Sequence, residues 1–353
     1  MNFYDFIIKF AVVLATLGLV IFFHELGHFL AAKSMKVRVE IFSLGFGPEW
    51  FGFTKGSTRY RVCLFPVGGY LKMAGDEAGE GVKGAPDEYL SQKWWKKMII
   101  VFSGPFMNFV LAWLIFFSVM SFIGIDIPSK EAVIGSVLKE SPAEKAGLLA
   151  GDRILSINGG AIAGWEELTE NIHSKPEQAL ELELSRNGQK IIKQVTSKYD
   201  EKNKIGLIGV TPHFNKEKYN ILRSSWESLR VVLIYTYKIL ESIVMMIAGR
   251  MKPELAGPIG IVSIIGDATG MGLTAVLNLI AMISISLGLI NLILPVPIVD
   301  GGVLLLLLIE GIRRKALSDK SIGILQRIGL MMIILLAVFA TYQDILRIFI
   351  NKR

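Results

Sequence analysis

Long apolar runs, alternating stretches and one amphipathic stretch divide the chain between them. Residues 4–32, 98–125, 271–311 and 322–350 are the long runs. Each exceeds the roughly 20 residues that cross a bilayer as a helix, so the pattern predicts four transmembrane helices. Residues 129–214 instead alternate short apolar strands with turns ("AVIGSVL", "DRILSING", "ALELELSRNGQKI", "KIGLIGVTP"), which predicts a small α/β domain. Within the connector 215–270, Trp226, Leu229, Leu233, Tyr237 and Leu240 recur at helical spacing among charged residues. That spacing predicts an amphipathic helix lying on the membrane surface. The loop 33–97 carries two strand-like pieces, 37–44 and 58–72.

Composition supports a membrane protein. Of 353 residues, 52% are hydrophobic and only 20% charged, and the mean hydropathy is +0.49. The net charge of +7 sits largely in loops 33–97 and 312–321. By the positive-inside rule both loops are expected on the cytoplasmic side, with both termini and the α/β domain outside. No basic run interleaved with aromatic residues points to nucleic acid, and no nucleic-acid partner is expected. The opening run has neither a basic start nor a small-residue cleavage site, so it does not read as a removable signal peptide. A single cysteine, Cys63, excludes a disulfide framework and a thiolate metal site.

Against this apolar background the polar residues stand out. "HELGH", residues 24–28, fits the HExxH pattern. On a helix, His24 and His28 share a face and reach one metal ion, while Glu25 beside them acts on metal-bound water. The competing reading is a helix with two buried, hydrogen-bonded histidines. Ionisable groups at membrane depth are costly, however, and mark functional sites. Zinc needs a third protein ligand, and Asp300 is the best candidate, as the only charge between Met271 and Ile309. It ends "NLILPVPIVDGG", where Pro295 and Pro297 interrupt the helix and Gly301 and Gly302 allow close backbone approach. Glu310 reads instead as a carboxylate paired near Arg313 and Arg314.

HELGH in the first run, "FSGPFMNF" in the second and "NLILPVPIVDGG" in the third together resemble the site-2 protease family of intramembrane zinc metalloproteases. Within it, the closest likeness is to the bacterial sigma-E-regulating proteases. "FSLGFGP", "FPVGGYLKM" and "LAGPIGI" extend the resemblance over essentially the whole chain. Val299 stands where the family's Leu-Asp-Gly has leucine, and the chain has room for one PDZ module rather than two. "SPAEKAGLLAGDRILSINGGAI" resembles such a module.

The resemblance implies a polytopic α-helical membrane protein of the bacterial cytoplasmic (inner) membrane, with four transmembrane helices. It also implies a membrane-associated β-hairpin region and one extracytoplasmic PDZ-like α/β domain. One zinc ion would be held by His24, His28 and Asp300, with Glu25 as general base. Asn291, Pro295, Pro297, Gly68 and Gly69 would contact substrate or shape its site. Substrates would be transmembrane segments of single-pass proteins, such as anti-sigma factors or signal-peptide remnants, first cut by another protease. A membrane scaffold or chaperone that keeps zinc without cleaving is the alternative, and Glu25 argues against it because binding needs only the ligands. A metal conduit would need ionisable residues in several spans, and 98–125 has none.

Overall fold

The computed structural model describes residues 3–76, 84–201, 203–251, 257–314 and 319–350. Parts of both basic loops, 77–83 and 315–318, and part of the connector, 252–256, lie outside the described residues. The chain divides into two compact units, one of Met1–Ser121 with Asn220–Arg353 and one of Phe122–Tyr219.

The first unit opens with α1 (Phe3–Ser34), followed by β1 (Val39–Lys55), β2 (Thr58–Met73) and α2 (Trp94–Ser118). α2 runs on into a wider π-type turn, Val119–Ile123. β1 and β2 pair antiparallel but fold over on themselves. Residues 41–44 lie between 69–72 on one side and 59–62 on the other, and 51–55 pair with 58–62. Two long strands thus build a four-run sheet, with 69–73 along one edge. Trp50, Phe51, Phe53, Leu64 and Phe65 are exposed on it, as suits a surface that meets lipid. Cys63 is buried in this sheet, beside Ser43.

The second unit contains β3 (Ile125–Pro128), β4 (Ile134–Val137), α3 (Pro142–Lys145), β5 (Arg153–Ile157), β6 (Gly160–Ala161) and α4 (Trp165–His173). It continues through β7 (Ala179–Arg186), β8 (Gln189–Thr196), β9 (Lys198–Asp200), β10 (Ile205–Leu207), β11 (Val210–Pro212) and β12 (Phe214–Glu217). Four strands form a sheet in the order β6-β5-β7-β8. Alternation along β7 sends Leu180, Leu182 and Leu184 into a core with Ile134, Leu148, Ile154 and Leu168. Asn158 (φ 50°) and Gly159 (φ 79°) turn the chain between β5 and β6, and the Asn158 side chain accepts a hydrogen bond from the Glu181 amide. The unit is wider than the expected 129–214, because β3 pairs with β12 and closes its two ends together.

The first unit resumes with α5 (Ile221–Ile247), α6 (Pro258–Met271), α7 (Leu273–Ile293), α8 (Asp300–Arg313) and α9 (Asp319–Ile350). α5 is the expected amphipathic helix. It buries Ser224, Ser228 and Val232 and leaves Leu222, Trp226, Leu233 and Tyr237 exposed. Among the described residues, four helices are long and apolar enough to cross a membrane, within Ile7–Ser34, Trp94–Ile123, Leu273–Ile293 and Ile322–Leu346. Two expectations need correction. The third run is not one span over 271–311, because the chain leaves helix at Leu294 and re-enters it at Asp300. The prolines at 295 and 297 cannot donate backbone hydrogen bonds and restrict the residues before them. The connector also hides a second helix, α6. The amides of Gly257 and Gly260 at its start donate to buried Asp344 of α9, at 3.0 and 2.8 Å.

Asp152 in the second unit yields a test. Its carboxylate takes a forked pair of hydrogen bonds from Arg186 (2.7 and 2.8 Å) and a third from the Leu149 amide. Burial alone would raise this carboxyl, but those partners outweigh it and hold it below the usual carboxylate range. The stabilisation is therefore present in full above the unfolded value of about 3.9 and is lost as pH falls through the lower folded one. Limited proteolysis within 122–219 should show Asp152→Asn to be more readily cut than wild type at neutral pH. The two should converge as the pH falls through the lowered folded value.

Candidate metal centre

The site begins with a close crossing of two helices. A Cβ added to Gly27 would lie 2.1 Å from the carbonyl oxygen of Ser103, so α2 passes directly over this glycine. One residue further on, a Cβ on Gly104 would lie 2.2 Å from His28 Nε2. The glycine of "SGPF" thus makes room for the imidazole, and the one in HELGH makes room for α2. Small residues allow such backbone approach inside membranes. α7 packs on the next turns of α2, where a Cβ on Gly288 would sit 2.9 Å from the Pro105 carbonyl.

Asp300 arrives from the break between α7 and α8. Gly301 and Gly302 follow it, and a Cβ on either would collide with the backbone of residues 291–297 (2.5 Å from Leu292 O and 2.1 Å from Val296 C). Only glycines let the broken segment fold back on the start of α8. The carboxylate then faces both histidines, with Oδ2 3.0 Å from His24 Nε2 and Oδ1 3.5 Å from His28 Nε2. The two Nε2 atoms are 3.3 Å apart. Among the described residues these three form the group able to hold a metal ion.

The set fits zinc. Two ligand atoms about 2.0–2.1 Å from one tetrahedral ion stand roughly 3.3 Å apart, which these three separations bracket. Asp300 Oδ2 is buried without a hydrogen-bond partner. Two imidazole lone pairs and a carboxylate pointed at one another at this range repel unless a cation lies between them. The outer nitrogens are also arranged for ligation. His28 Nδ1 is 2.9 Å from the Ile100 carbonyl, which fixes the tautomer that presents Nε2. Buried Asn108 sits 3.3 Å from His24 Nδ1 through its amide nitrogen, while its Oδ1 lacks a partner. Turning the amide over exchanges Oδ1 with Nδ2 and gives His24 Nδ1–H an acceptor. Ser284 of α7 donates to the Asn108 carbonyl at 2.8 Å.

Glu25 lies beside this group, and its carboxylate takes a hydrogen bond from the backbone of Leu71 on the sheet edge. Gly69 is also near, since a Cβ there would meet Glu25 Cγ at 3.4 Å and Ser43 O at 2.8 Å. A cavity of about 560 Å³ opens here, lined by Glu25, His28, Asp300, Leu71 and Pro297, with Ile322 and Gln326 of α9 on another wall. Of the other sequence-stated substrate contacts, Gly68, Pro295 and Asn291 are not among its lining residues. Gly68 turns the strand with φ +103° against Phe46, and the Asn291 carbonyl packs on Gly301. Glu310 is paired with Lys97 rather than with Arg313 or Arg314. Sequence reasoning gave Asn108 no role, and its one signal is a polar amide within an uncharged span.

A family model, "Peptidase family M50", matches residues 12–336. The chain belongs to this family. A Clostridium acetobutylicum protein named as a candidate zinc metalloprotease is 33% identical over 348 residues, covering 98% of each chain. A similarly named Rhizobium meliloti protein is 35% identical over 362 residues, 93% of this chain and 94% of that one. Zinc metalloprotease RasP of Bacillus licheniformis is 28% identical over 414 residues, 94% and 97%. The solved PDZ domain of an SdrC-like protein from Listeria monocytogenes is 24% identical and covers 25% of this chain and 93% of that one, with a TM-score of 0.22. As an M50 peptidase the chain is a metalloendopeptidase, and its four apolar helices make it an integral membrane protein.

Asp300→Asn offers a neutral amide in place of an anionic ligand. Zinc retention by the purified M50 protein after dialysis against a mild chelator should fall by at least the roughly 10-fold that losing a ligand's supporting hydrogen bond costs. Unchanged metal content would place the third ligand elsewhere.

Proposed function

We propose that this M50 peptidase cuts single-pass membrane proteins within or beside their spans, with one zinc ion held by His24, His28 and Asp300 and with Glu25 as general base. The observation that carries the reading is the meeting of those four residues beside the sheet edge 69–73. Zinc supplies Lewis acidity that makes water nucleophilic near neutral pH. Glu25 takes the proton and hands it to the leaving amine. A helical peptide bond is shielded, so the substrate must be drawn out before attack. Among the described residues no strand pairs with the outer side of 69–72, and an extended substrate added there would recover its lost backbone hydrogen bonds. Gly69 lets that strand pass within contact of Glu25, and Pro297 walls the opposite side.

The bacterial inner membrane is the proposed location, with loops 33–97 and 312–321 cytoplasmic and the PDZ-like unit outside, as the basic residues argue. In this reading the PDZ-like unit is a size filter, excluding substrates with bulky outer domains and admitting stumps left by an earlier cut. Pairing of β3 with β12 ties both of its ends together. Capture of a stump's new C-terminus is the competing role. Deleting residues 130–212 should release cleavage of full-length substrates if the unit filters, and should slow cleavage of stumps if it captures.

Glu25→Gln tests the chemistry. Turnover of a model transmembrane peptide should fall about 100- to 10,000-fold while zinc stays bound, because Glu25 moves a proton and is not a ligand. Turnover near the wild-type rate would overturn the mechanism.

A further inference from the structure

Lys97 and Glu310 form an ion pair on the wall of the cavity beside Asp300, and the proposed chemistry gives them no role. Lys97 Nζ lies 3.0 Å from both carboxylate oxygens of Glu310. The lysine side chain is 6% exposed and the glutamate 24%. Such a pair does little for net stability, because desolvating both charges offsets most of their attraction, but it fixes register where two elements could otherwise slide. The question is which register it fixes.

α2 and α8 answer it. Lys97 lies one helical turn from Ile100, whose carbonyl holds His28 Nδ1. A single turn of α2 therefore grips one histidine through its backbone and α8 through a side chain. On α8, positions 300, 307 and 311 fall within about 20° of one line at 100° per residue. Asp300 faces the histidines, Leu307 is buried with Ile100 and Val101, and a Cβ on Gly311 would lie 2.8 Å from the Trp94 ring. This stripe faces α2 along its length, and Glu310 borders its far end, about 15 Å from Asp300. The near end follows a break containing two prolines, which leaves the start of α8 without a continuous helix behind it.

We propose that Lys97 and Glu310 are positioning residues that set the rotation and axial register of α8 on α2, and thereby the placement of Asp300 against His24 and His28. Neither residue touches the reacting atoms. This rests on the zinc-site reading above, and its test reads metal retention separately from cleavage.

The experiment uses the full-length chain in detergent or nanodiscs, with zinc retention under chelator dialysis, kcat, KM and thermal midpoint measured for each variant. Lys97→Met and Glu310→Gln should each lose roughly 10-fold or more in zinc retention, the scale of an outer-shell defect at a metal site. Their kcat should fall as well. Both side chains also line the cavity beside Glu25 and Asp300, so zinc retention, not KM, is the deciding readout. Lys97→Arg should stay near wild type. The swap Lys97→Glu with Glu310→Lys should regain most of the retention and kcat lost by the single variants. Wild-type retention in both single variants would overturn the proposal. So would a folded swap no better than the single variants, or a kcat loss that follows the thermal midpoint with zinc retained. If Lys97→Met does not fold, the swap and Lys97→Arg still decide. Should Glu25→Gln fail to block cleavage, the protease mechanism falls, while the retention series still reports on α8 register.

Discussion

The closeness of α2 to α1 is the constraint on which the site depends. Where Gly27 meets Ser103 there is no room for a methyl group, and where His28 meets Gly104 there is none either. Lipid tails are as apolar as the helices, so burial of apolar surface does little to hold helices together in a bilayer. Shape and interhelical hydrogen bonds must do so. Here the same contacts serve both ends: α2 approaches α1 because of the glycines, and that approach brings the Ile100 carbonyl and Asn108 to the outer nitrogens of the two histidines. The architecture of the helix pair and the preparation of the ligands are one feature.

The second element of the site is assembled by breaking a helix. Asp300 could not reach both imidazoles from the middle of a straight span whose side chains radiate around the axis. Interrupting the helix at 294–299 places the carboxylate at the start of α8, and Gly301 and Gly302 let the segment fold back without a steric clash. The freed backbone groups of this segment are partly satisfied within it, as the amides of Ile298 and Val299 both donate to Val296. Such irregular backbone at membrane depth is tolerated where protein or a cavity surrounds it, and Pro297 does line the cavity beside the zinc site.

Much of this was legible in the sequence. His24, Glu25 and His28 declare themselves by spacing, and Asp300 by being a lone charge in an apolar run. The long runs, the alternating domain and the amphipathic helix also follow from periodicity. What escaped was whatever depends on partners distant in the chain. α6 looks like more apolar connector until Asp344, 84 residues beyond Gly260, is seen to accept its first amides. Glu310 has arginines nearby in sequence, yet pairs with Lys97 from another helix, 213 positions away. The strand piece at 58–72 matches β2, but the one at 37–44 stops short of the end of β1 at Lys55, because the exposed aromatic half of β1 lacks the alternation of a half-buried sheet. In lipid, both faces of that half can be apolar.

The folded-over sheet completes the logic of the site. A protease in a bilayer meets substrates whose backbone is already hydrogen-bonded within a helix, so extending one exposes several polar groups in a medium that cannot satisfy them. Under the proposed mechanism, an edge that is unpaired among the described residues, next to Glu25, would remove that cost at the point where the chain must be extended. Glu25 and the edge are coupled directly, since the Leu71 backbone donates to the carboxylate and Gly69 packs against its stem. An arriving strand would therefore be registered against the same backbone that orients the base. The cavity beside that edge is mixed, with Leu71, Pro297, Val303 and Leu307 next to Asp76, Lys97, Glu310 and Gln326.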